Sequence, residues 1–286
     1  MPDDTIAKIR QHLERMPSLP ITVAKVLEIC DNPRTRPSDL NRVIALDPVL
    51  VGRLIKLVNS AYFGGGRVIH SLTRAIVMLG INTVKNMALS AAVLATLGRS
   101  KEHEGLGVEG FWRHSVGVGV ASKLIAKQRG IDIYSLEEYF TAGLLHDIGK
   151  IPLNAALGRD YLVPVALADR DHISLHQAEK NICGIDHTEV GGLITQSWKL
   201  YGPVGDTIIW HHNYLEYDGD YRDLLYTVVL ADWFIINSEI GFAGNRHPGR
   251  LPPKVWQYLK PNDELFAIIK PEVTNEINKA SLFLEI

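Results

Sequence analysis

Cysteine is scarce in this sequence, and neither sign of charge dominates it. The two cysteines, Cys30 and Cys183, lie far apart and match no CxxC pattern, so both thiols are predicted to be free in a reducing, cytoplasmic setting. The 30 lysine and arginine residues nearly balance 32 aspartate and glutamate residues, leaving a net charge of −2. This balance gives no electrostatic reason to expect nucleic acid or an anionic membrane as the main partner.

Long apolar runs are also missing. No stretch approaches the roughly 20 apolar residues of a membrane helix, and the run Ala88–Leu97 is short enough to suit a buried helix. The first four residues, Met-Pro-Asp-Asp, are acidic and unlike a secretory signal. Hydrophobic residues make up 46% and charged residues 22% of the chain, which is typical of a soluble globular protein. We therefore expect a soluble, cytoplasmic protein.

Apolar residues recur at helical spacing nearly everywhere, which predicts an all-α fold. Three regions are expected: an N-terminal helical lobe at 1–100, a second helical lobe at 101–240 and a C-terminal extension at 241–286. The polar stretch Gly98–Gly107 separates the two lobes. In the first lobe, the predicted helices run from Leu19 to Cys30, from the cap Ser38, from the cap Asp47 with Pro48 next, from Ser71 to Gly80, and from Asn82 to Leu97.

The second lobe is predicted to contain longer helices. Two of them run from Val108 to Gln128 and from Leu136 to about Lys150. An irregular stretch follows, and after it further helices are predicted at Leu175–Asn181, Asp186–Trp198, Pro203–His212 and Tyr221–Ser238. Five prolines follow Gly241, so only short helices are expected in the extension.

Seven histidine and aspartate residues fall on otherwise apolar helix faces. A buried imidazole or carboxylate is costly unless it is paired or coordinated. Any one of these histidines alone would be read as a hydrogen-bonded core residue, but a shared metal site compensates all seven together. Their ligand types suit one or two divalent ions of Fe, Mn, Zn or Ni. The predicted metal ligands are His114, His146, Asp147, His187, His211, His212 and Asp232.

The run Ala142–Lys150, which reads AGLLHDIGK, resembles the signature of the HD superfamily of metal-dependent phosphohydrolases. In that superfamily, an upstream histidine, the His-Asp pair and a downstream aspartate bind metal. By order, the resemblance assigns these roles to His114, His146, Asp147 and Asp232. The remaining three, His187, His211 and His212, resemble the additional histidines of the binuclear subgroup that includes the HD-GYP cyclic-di-GMP phosphodiesterases.

The first lobe carries a second resemblance. The segments Met16–Pro20, Leu57–Phe63 and Ala75–Gly80 look like hallmark segments of the HDOD family. The resemblance implies a helical HDOD lobe packed on an HD-type bundle. Many HDOD proteins are described as having lost the HD ligands and acting as non-catalytic signalling modules. This sequence departs from that pattern because it keeps the ligands.

The sequence also departs from the HD-GYP pattern. Asn213 replaces the glutamate that follows the paired histidines, the Asp218-Gly219 pair comes later than in that subgroup, and no Gly-Tyr-Pro follows. Gly110 stands where trinuclear members supply a glutamate ligand. The resemblance therefore implies at most two metal ions, and it weakens the case for cyclic-di-GMP as substrate.

Two residues are catalytic candidates. A metal centre lowers the pKa of bound water and neutralises charge on phosphate, and Asp147 would help to hold the nucleophile. Lys150 could contact a phosphate oxygen, although an ordinary solvated lysine at a helix C-terminus is the alternative.

Three other segments are more weakly informative. A turn is favoured over a phosphate-binding loop for Gly64–Gly66, and Asn59-Ser60 is expected to turn the chain. A nearby group of aromatic residues could stack on a nucleobase or simply pack; it comprises Trp210, Tyr214, Tyr217 and Tyr221.

Two functions follow. The first is an HDOD-type bacterial signalling module whose metal-bound lobe serves as a sensor or scaffold that contacts signalling proteins. The alternative is an active metal-dependent phosphohydrolase or phosphodiesterase acting on a nucleotide or cyclic dinucleotide. Direct regulation of nucleic acid is disfavoured because no basic stripe is visible.

Overall fold

The computed structural model describes residues 2–59, 69–97, 105–251, 253–261 and 263–284. Every regular element in these residues is a helix, which confirms the all-α prediction. Five helices form the first lobe: α2 (Ile21–Cys30), α3 (Pro37–Ile44), α4 (Pro48–Val58), α5 (Leu72–Leu79) and α6 (Ile81–Leu97). They pack mainly as α2 on α3 and α6, and as α4 and α5 on α6.

Helix caps in the first lobe match the prediction at α4 but not at α3. The Leu50 N–H donates to Asp47 Oδ1 over 2.9 Å, so Asp47 caps α4 as expected. Ser38 was predicted to cap α3, and this is wrong because α3 already begins at Pro37. Arg36 is its N-cap, with its backbone N–H donating to Asp39 Oδ2 over 3.1 Å. Proline suits the first helical position, where no N–H is needed.

Asn59 fixes both ends of the segment that joins α4 to α5. Its side-chain amide donates to the carbonyls of Ile55 and Ile69, and its Oδ1 accepts the Ile69 N–H over 2.6 Å. These bonds, to the last turn of α4 and to Ile69, agree with the capping or turning role expected of Asn59. Ser60 and Gly64–Gly66 lie outside the described residues.

The second lobe begins with α7 (Val108–Gln128), whose bounds agree with the prediction. The helices that follow are α8 (Leu136–Leu145), α9 (Lys150–Leu157), α10 (Leu162–Asp171), α11 (Leu175–Cys183), α12 (His187–Trp198), α13 (Pro203–Trp210) and α14 (Arg222–Asn237). One continuous helix was predicted from Leu136 to Lys150, and this is wrong. The chain turns at 146–149, and the supposedly irregular stretch after it contains α9, a 3₁₀ turn at Gly158–Tyr161 and α10.

Two glycines let α7 and α8 approach closely. A Cβ on Gly119 would lie 2.8 Å from the Phe140 carbonyl oxygen, and one on Gly143 would lie 2.9 Å from the Gly119 Cα. Real Cβ atoms essentially never come this close. The close packing of these backbones brings the middle of α7 beside the end of α8.

Helices at both ends of the chain pack on the second lobe. The first helix, α1 (Pro2–Arg15), contacts α9 and α11, so its contacts place it with this lobe although its sequence lies within 1–100. The extension forms α15 (Pro253–Leu259) and α16 (Asp263–Leu284), of which α16 contacts α7.

The expectation of only short helices in the extension is wrong, because α16 runs for 22 residues and contains Pro271. Leu265, Ile269 and Val273 recur every four residues along α16, and all three are buried. The burial of this apolar stripe stabilises the helix against the loss of one hydrogen bond at the proline, which costs about 3 kcal/mol.

The two lobes meet where α6 packs on α8. Ser90 and Thr141 face each other there, with their hydroxyls 3.4 Å apart in a buried position. Among the described residues, no single helix is long and apolar enough to cross a membrane. One pair, Leu72–Leu79 with Ile81–Val93, passes by length and composition when taken together, but it is bent by 118° at its break.

Candidate metal centre

The structure brings all seven predicted ligands together from five places in the second lobe. One comes from the middle of α7, two from the turn after α8, one from the first position of α12, two from the end of α13 and one from α14; in that order they are His114, His146 and Asp147, His187, His211 and His212, and Asp232. Six of them fall into two groups of candidate ligand atoms that share Asp147. The seventh, Asp232, lies beside the group that contains His114 and His146.

The first group surrounds one oxygen of Asp147. His114 Nε2 lies 3.7 Å and His146 Nε2 lies 3.3 Å from Asp147 Oδ2. Asp232 Oδ1 closes the group, at 3.1 Å from His114 Nε2 and 3.7 Å from His146 Nε2. This group therefore offers two imidazole nitrogens and two carboxylate oxygens.

The second group surrounds the other oxygen of the same carboxylate. His187 Nε2 lies 3.2 Å and His211 Nε2 lies 3.5 Å from Asp147 Oδ1. His212 Nε2 lies 3.1 Å from His187 Nε2, and His187 Nε2 lies 3.3 Å from His211 Nε2. Asp147 thus stands between three imidazoles on one side and two imidazoles with a second carboxylate on the other.

Several buried polar atoms at the centre make no hydrogen bond within the described part of the chain. His114 Nε2, His146 Nε2 and Asp147 Oδ1 are buried and have no hydrogen-bond partner there. Buried polar atoms are nearly always satisfied, because leaving one without a partner costs roughly 1–3 kcal/mol. Metal ions held by the two groups would satisfy all three atoms, and these residues therefore fit a metal.

Backbone carbonyls orient two of the imidazoles. His146 Nδ1 lies 2.7 Å from the Gly143 carbonyl oxygen, and His211 Nδ1 lies 3.0 Å from that of Thr207. A proton on Nδ1 leaves the Nε2 lone pair facing the centre. Ligating histidines commonly carry such a contact, which fixes the tautomer and the ring orientation.

A buried glutamate orients His187, and sequence reasoning missed it. Glu179 Oε2 lies 2.5 Å from His187 Nδ1 and accepts the His187 backbone N–H over 2.9 Å. Its other oxygen accepts the hydroxyl of Tyr161. Glu179 is fully buried. The available signal was its spacing, because Glu179 lies midway between Leu175 and Cys183 on the apolar face of α11.

Lys150 is buried beside the centre rather than solvated. Its Nζ donates to Asp147 Oδ2 over 2.6 Å and to the Ala243 carbonyl over 3.1 Å, and the residue is only 4% exposed. The positive charge of Lys150 is therefore paired with the carboxylate of Asp147. A role for Lys150 on a phosphate stays a prediction.

The two carboxylates give the centre a negative character. Burial alone would lower the pKa of His146, but Asp147 and Asp232 raise it to about 10. Burial would likewise lower the pKa of His187, and Glu179 and Asp147 raise it to about 9. The centre therefore attracts positive charge, which a metal ion supplies in place of protons.

A cleft of about 300 Å³ opens onto this centre. His211, His212 and Asp232 form part of its lining, so an entering molecule would meet metal ligands directly. Of the four aromatic residues considered from the sequence, Tyr214 lines the cleft.

The other three aromatic residues take different positions. Tyr217 is buried, donates to Asp206 over 2.6 Å and lies beside Trp210. Tyr221 is 40% exposed. Trp233, which was not singled out from the sequence, is the second aromatic residue in the cleft lining.

Gly110 lies in a position with little room for a larger side chain. Its carbonyl accepts the Phe242 N–H over 2.8 Å, and a Cβ there would lie 3.2 Å from the Phe242 carbonyl oxygen. A third carboxylate ligand from this position is therefore disfavoured by packing as well as absent from the sequence.

Comparison with known families places this site in context. The HDOD domain model matches residues 16–214, which include most of both lobes and six of the seven candidate ligands. The chain therefore belongs to the HDOD family.

Individual proteins that are similar to this chain share only a low sequence identity with it. The chain is 26% identical over 229 residues to an uncharacterized protein of Treponema pallidum (strain Nichols), and the match covers 80% of this chain but only 44% of that protein. The crystal structure of an HDOD domain protein with unknown function from Geobacter sulfurreducens has 23% identity and a TM-score of 0.71, over 99% of this chain and 96% of that one.

A third relative is a Marinobacter aquaeolei VT8 protein provisionally described as a signal transduction protein. Its structure gives a TM-score of 0.68 with 18% identity, over 99% of this chain and 66% of that one. At this level of identity, the two solved structures establish a shared fold.

Proposed function

We propose that this chain is a metal-binding HDOD signalling module whose second lobe holds two divalent transition-metal ions. The observation that carries the proposal is the position of Asp147, whose two carboxylate oxygens each face a separate group of ligands. Five imidazoles and two carboxylates form a donor set that suits Fe, Mn, Zn or Ni rather than Ca or Mg. Such ions, when bound, would lower the pKa of coordinated water and neutralise phosphate charge.

A scaffold or sensor role fits the surroundings of the centre better than rapid turnover. Lys150 is engaged with Asp147 and the Ala243 carbonyl, so its charge is not directed at the cleft. Asn213 replaces a family glutamate directly after the paired histidines. We therefore propose signalling proteins as the partners, a role in keeping with the description of the Marinobacter relative.

Phosphohydrolase activity is the second candidate, and one observation favours it. The cleft reaches His211, His212 and Asp232 from outside, so a phosphate ester has a route to the centre. A centre with a purely structural role needs no such route.

Metal analysis tests the first proposal. Purified wild type should hold about two transition-metal ions per chain, and Asp147→Ala should lose most of both, because one carboxylate serves both groups. Asp160→Ala, at an exposed position in the 3₁₀ turn, is the matched control and should keep the wild-type metal content. A folded, stable wild type that binds no metal would contradict the proposal.

Turnover separates the two candidates. Cyclic dinucleotides and a generic phosphodiester are supplied to protein loaded anaerobically with Mn or Fe. Background rates in both wild type and Asp147→Ala are expected for a signalling module. Turnover of about 1 per second or more, abolished in Asp147→Ala, would establish the second candidate instead.

A further inference from the structure

The cleft that opens onto the metal centre also has a basic wall, formed by residues that are not candidate metal ligands. His172, His247 and Arg250 line it, and none of them belongs to either ligand group. The two imidazole rings lie with their centroids 4.2 Å apart. All three residues are exposed or half-buried, so they are accessible to a molecule in the cleft.

The charges on this wall are arranged to leave a positive excess. His247 Nε2 lies 3.1 Å from Asp169 Oδ1, and Asp169 is not among the residues that line the cleft. Arg250 has no ion-pair partner among the residues that the structure describes. A guanidinium in this setting is suited to bidentate contact with a phosphate group.

Aromatic rings contribute further to the cleft. Trp233 and Tyr214 both line it. The indole N–H of Trp233 donates to the Gly249 carbonyl over 3.1 Å, which holds the ring in a fixed orientation. A fixed indole offers a planar ligand a stacking surface without a further loss of side-chain entropy.

The size of the cleft limits its occupant. Ligand sites in proteins have volumes of roughly 300–1,000 Å³, and this cleft, at about 300 Å³, is at the lower end. A cyclic dinucleotide carries two bases on a ring of two sugars and two phosphates, so more of it would extend beyond the cleft. The cleft volume therefore favours a nucleotide with a single base.

We propose that this cleft binds a nucleoside diphosphate, with one phosphate at the metal centre and the other against Arg250 and His247. A cleft that is lined by both metal ligands and basic residues favours a ligand with two anionic groups. The base would contact Trp233. This inference rests on the proposed metal centre and names the ligand that the module would sense.

Isothermal titration calorimetry of metal-loaded protein tests the inference, with ADP, AMP, pyrophosphate and cyclic-di-GMP as probes. ADP should bind more tightly than AMP, because a monophosphate reaches only one of the two positive regions. ADP should also bind more tightly than pyrophosphate, which lacks the ring. Cyclic-di-GMP should bind more weakly than ADP because of its size.

Variants locate the second phosphate. Arg250→Ala should weaken ADP binding by about tenfold, the equivalent of one charge-assisted contact, while AMP affinity and metal content stay near wild type. Arg250→Lys should recover part of the loss. Arg74→Ala, an exposed arginine in the first lobe, is the matched control and should change nothing.

Three results would overturn the inference while leaving the metal centre intact: equal affinity for ADP and AMP, no effect of Arg250→Ala on ADP binding, or tighter binding of cyclic-di-GMP than of ADP. Metal content is measured on every sample. A wild type without metal contradicts the proposed function, whereas a metal-loaded wild type that does not bind ADP contradicts this inference alone.

Discussion

Of the glycines at the metal centre, Gly149 leaves the least room for an added Cβ atom. Substituting Gly149 should therefore separate the two ligand groups. Gly149 ends the turn that contains His146 and Asp147, and it lies directly against the first turn of α12, where His187 begins the helix. A Cβ on Gly149 would lie 2.7 Å from the Gly191 nitrogen and closer still to the His187 carbonyl oxygen.

The expected magnitude follows from these distances. Ordinary Cβ contacts begin near 3.4 Å. Clearing the Gly191 nitrogen alone would require α12 to move away by about 0.7 Å, and clearing the His187 carbonyl oxygen would require more, whereas metal–ligand distances tolerate only about 0.2 Å. The φ of Gly149 is −65°, which alanine adopts freely. The effect is therefore one of overpacking, which costs typically 1–3 kcal/mol. We expect about 2–3 kcal/mol, because the obstructing atoms are backbone.

The assay combines urea unfolding of chelator-treated protein with metal analysis of loaded protein. Gly149→Ala should lose about one metal ion per chain, since moving His187 damages the second group and spares His114 and Asp232. Gly192→Ala, in the same helix, is the control. Its Cβ would lie 3.6 Å from Ile209 Cγ1, and it should be neutral or stabilising by up to about 1 kcal/mol. Wild-type stability and metal content in Gly149→Ala would refute the reasoning.

Two further predictions concern buried or paired carboxylates. Glu179→Gln should weaken metal binding by about 10- to 100-fold without unfolding the protein, because Glu179 orients His187; unchanged affinity in competition with a chelating dye would contradict this. Asp223→Asn should lower stability at neutral pH. Burial would raise the pKa of Asp223, but hydrogen bonds from Arg129 and Tyr139 lower it overall. This contribution is present above the unfolded pKa of about 3.9 and is lost as pH falls through the folded value, so wild type and variant should converge in acid unfolding. A stability difference that does not narrow as the pH falls would exclude that cause.

Local signals were sufficient for much of the fold. The apolar spacing of α7 and the Asp47-Pro48 pair at α4 predicted helix bounds that the structure reproduces, because caps and periodicity act within a few residues. The HD resemblance assigned His146 and Asp147 to a metal site, and the structure brings both residues together with the other candidate ligands.

Other features depend on contacts that the sequence does not order. The helix was expected to continue past Leu145, yet the chain turns at 146–149, where Gly149 packs against α12. The length of α16 depends on burial against α7, which lies far away in sequence. The position of Glu179 on the apolar face of α11 indicated that it is buried. Its partner could not be identified from the sequence, because His187 is not among its nearest neighbours along the chain.

The position of Asp147 suggests why a signalling module would retain its ligands. One side of this carboxylate faces α7 and α14, and the other side faces α12 and the end of α13. Metal ions on both sides would join these helices through a single residue. A ligand that binds only the folded state stabilises it by about 4 kcal/mol at 1,000 times its Kd. The bound metal would then determine the stability of the second lobe, on which α6 packs. A change in metal occupancy would therefore affect the first lobe without any turnover.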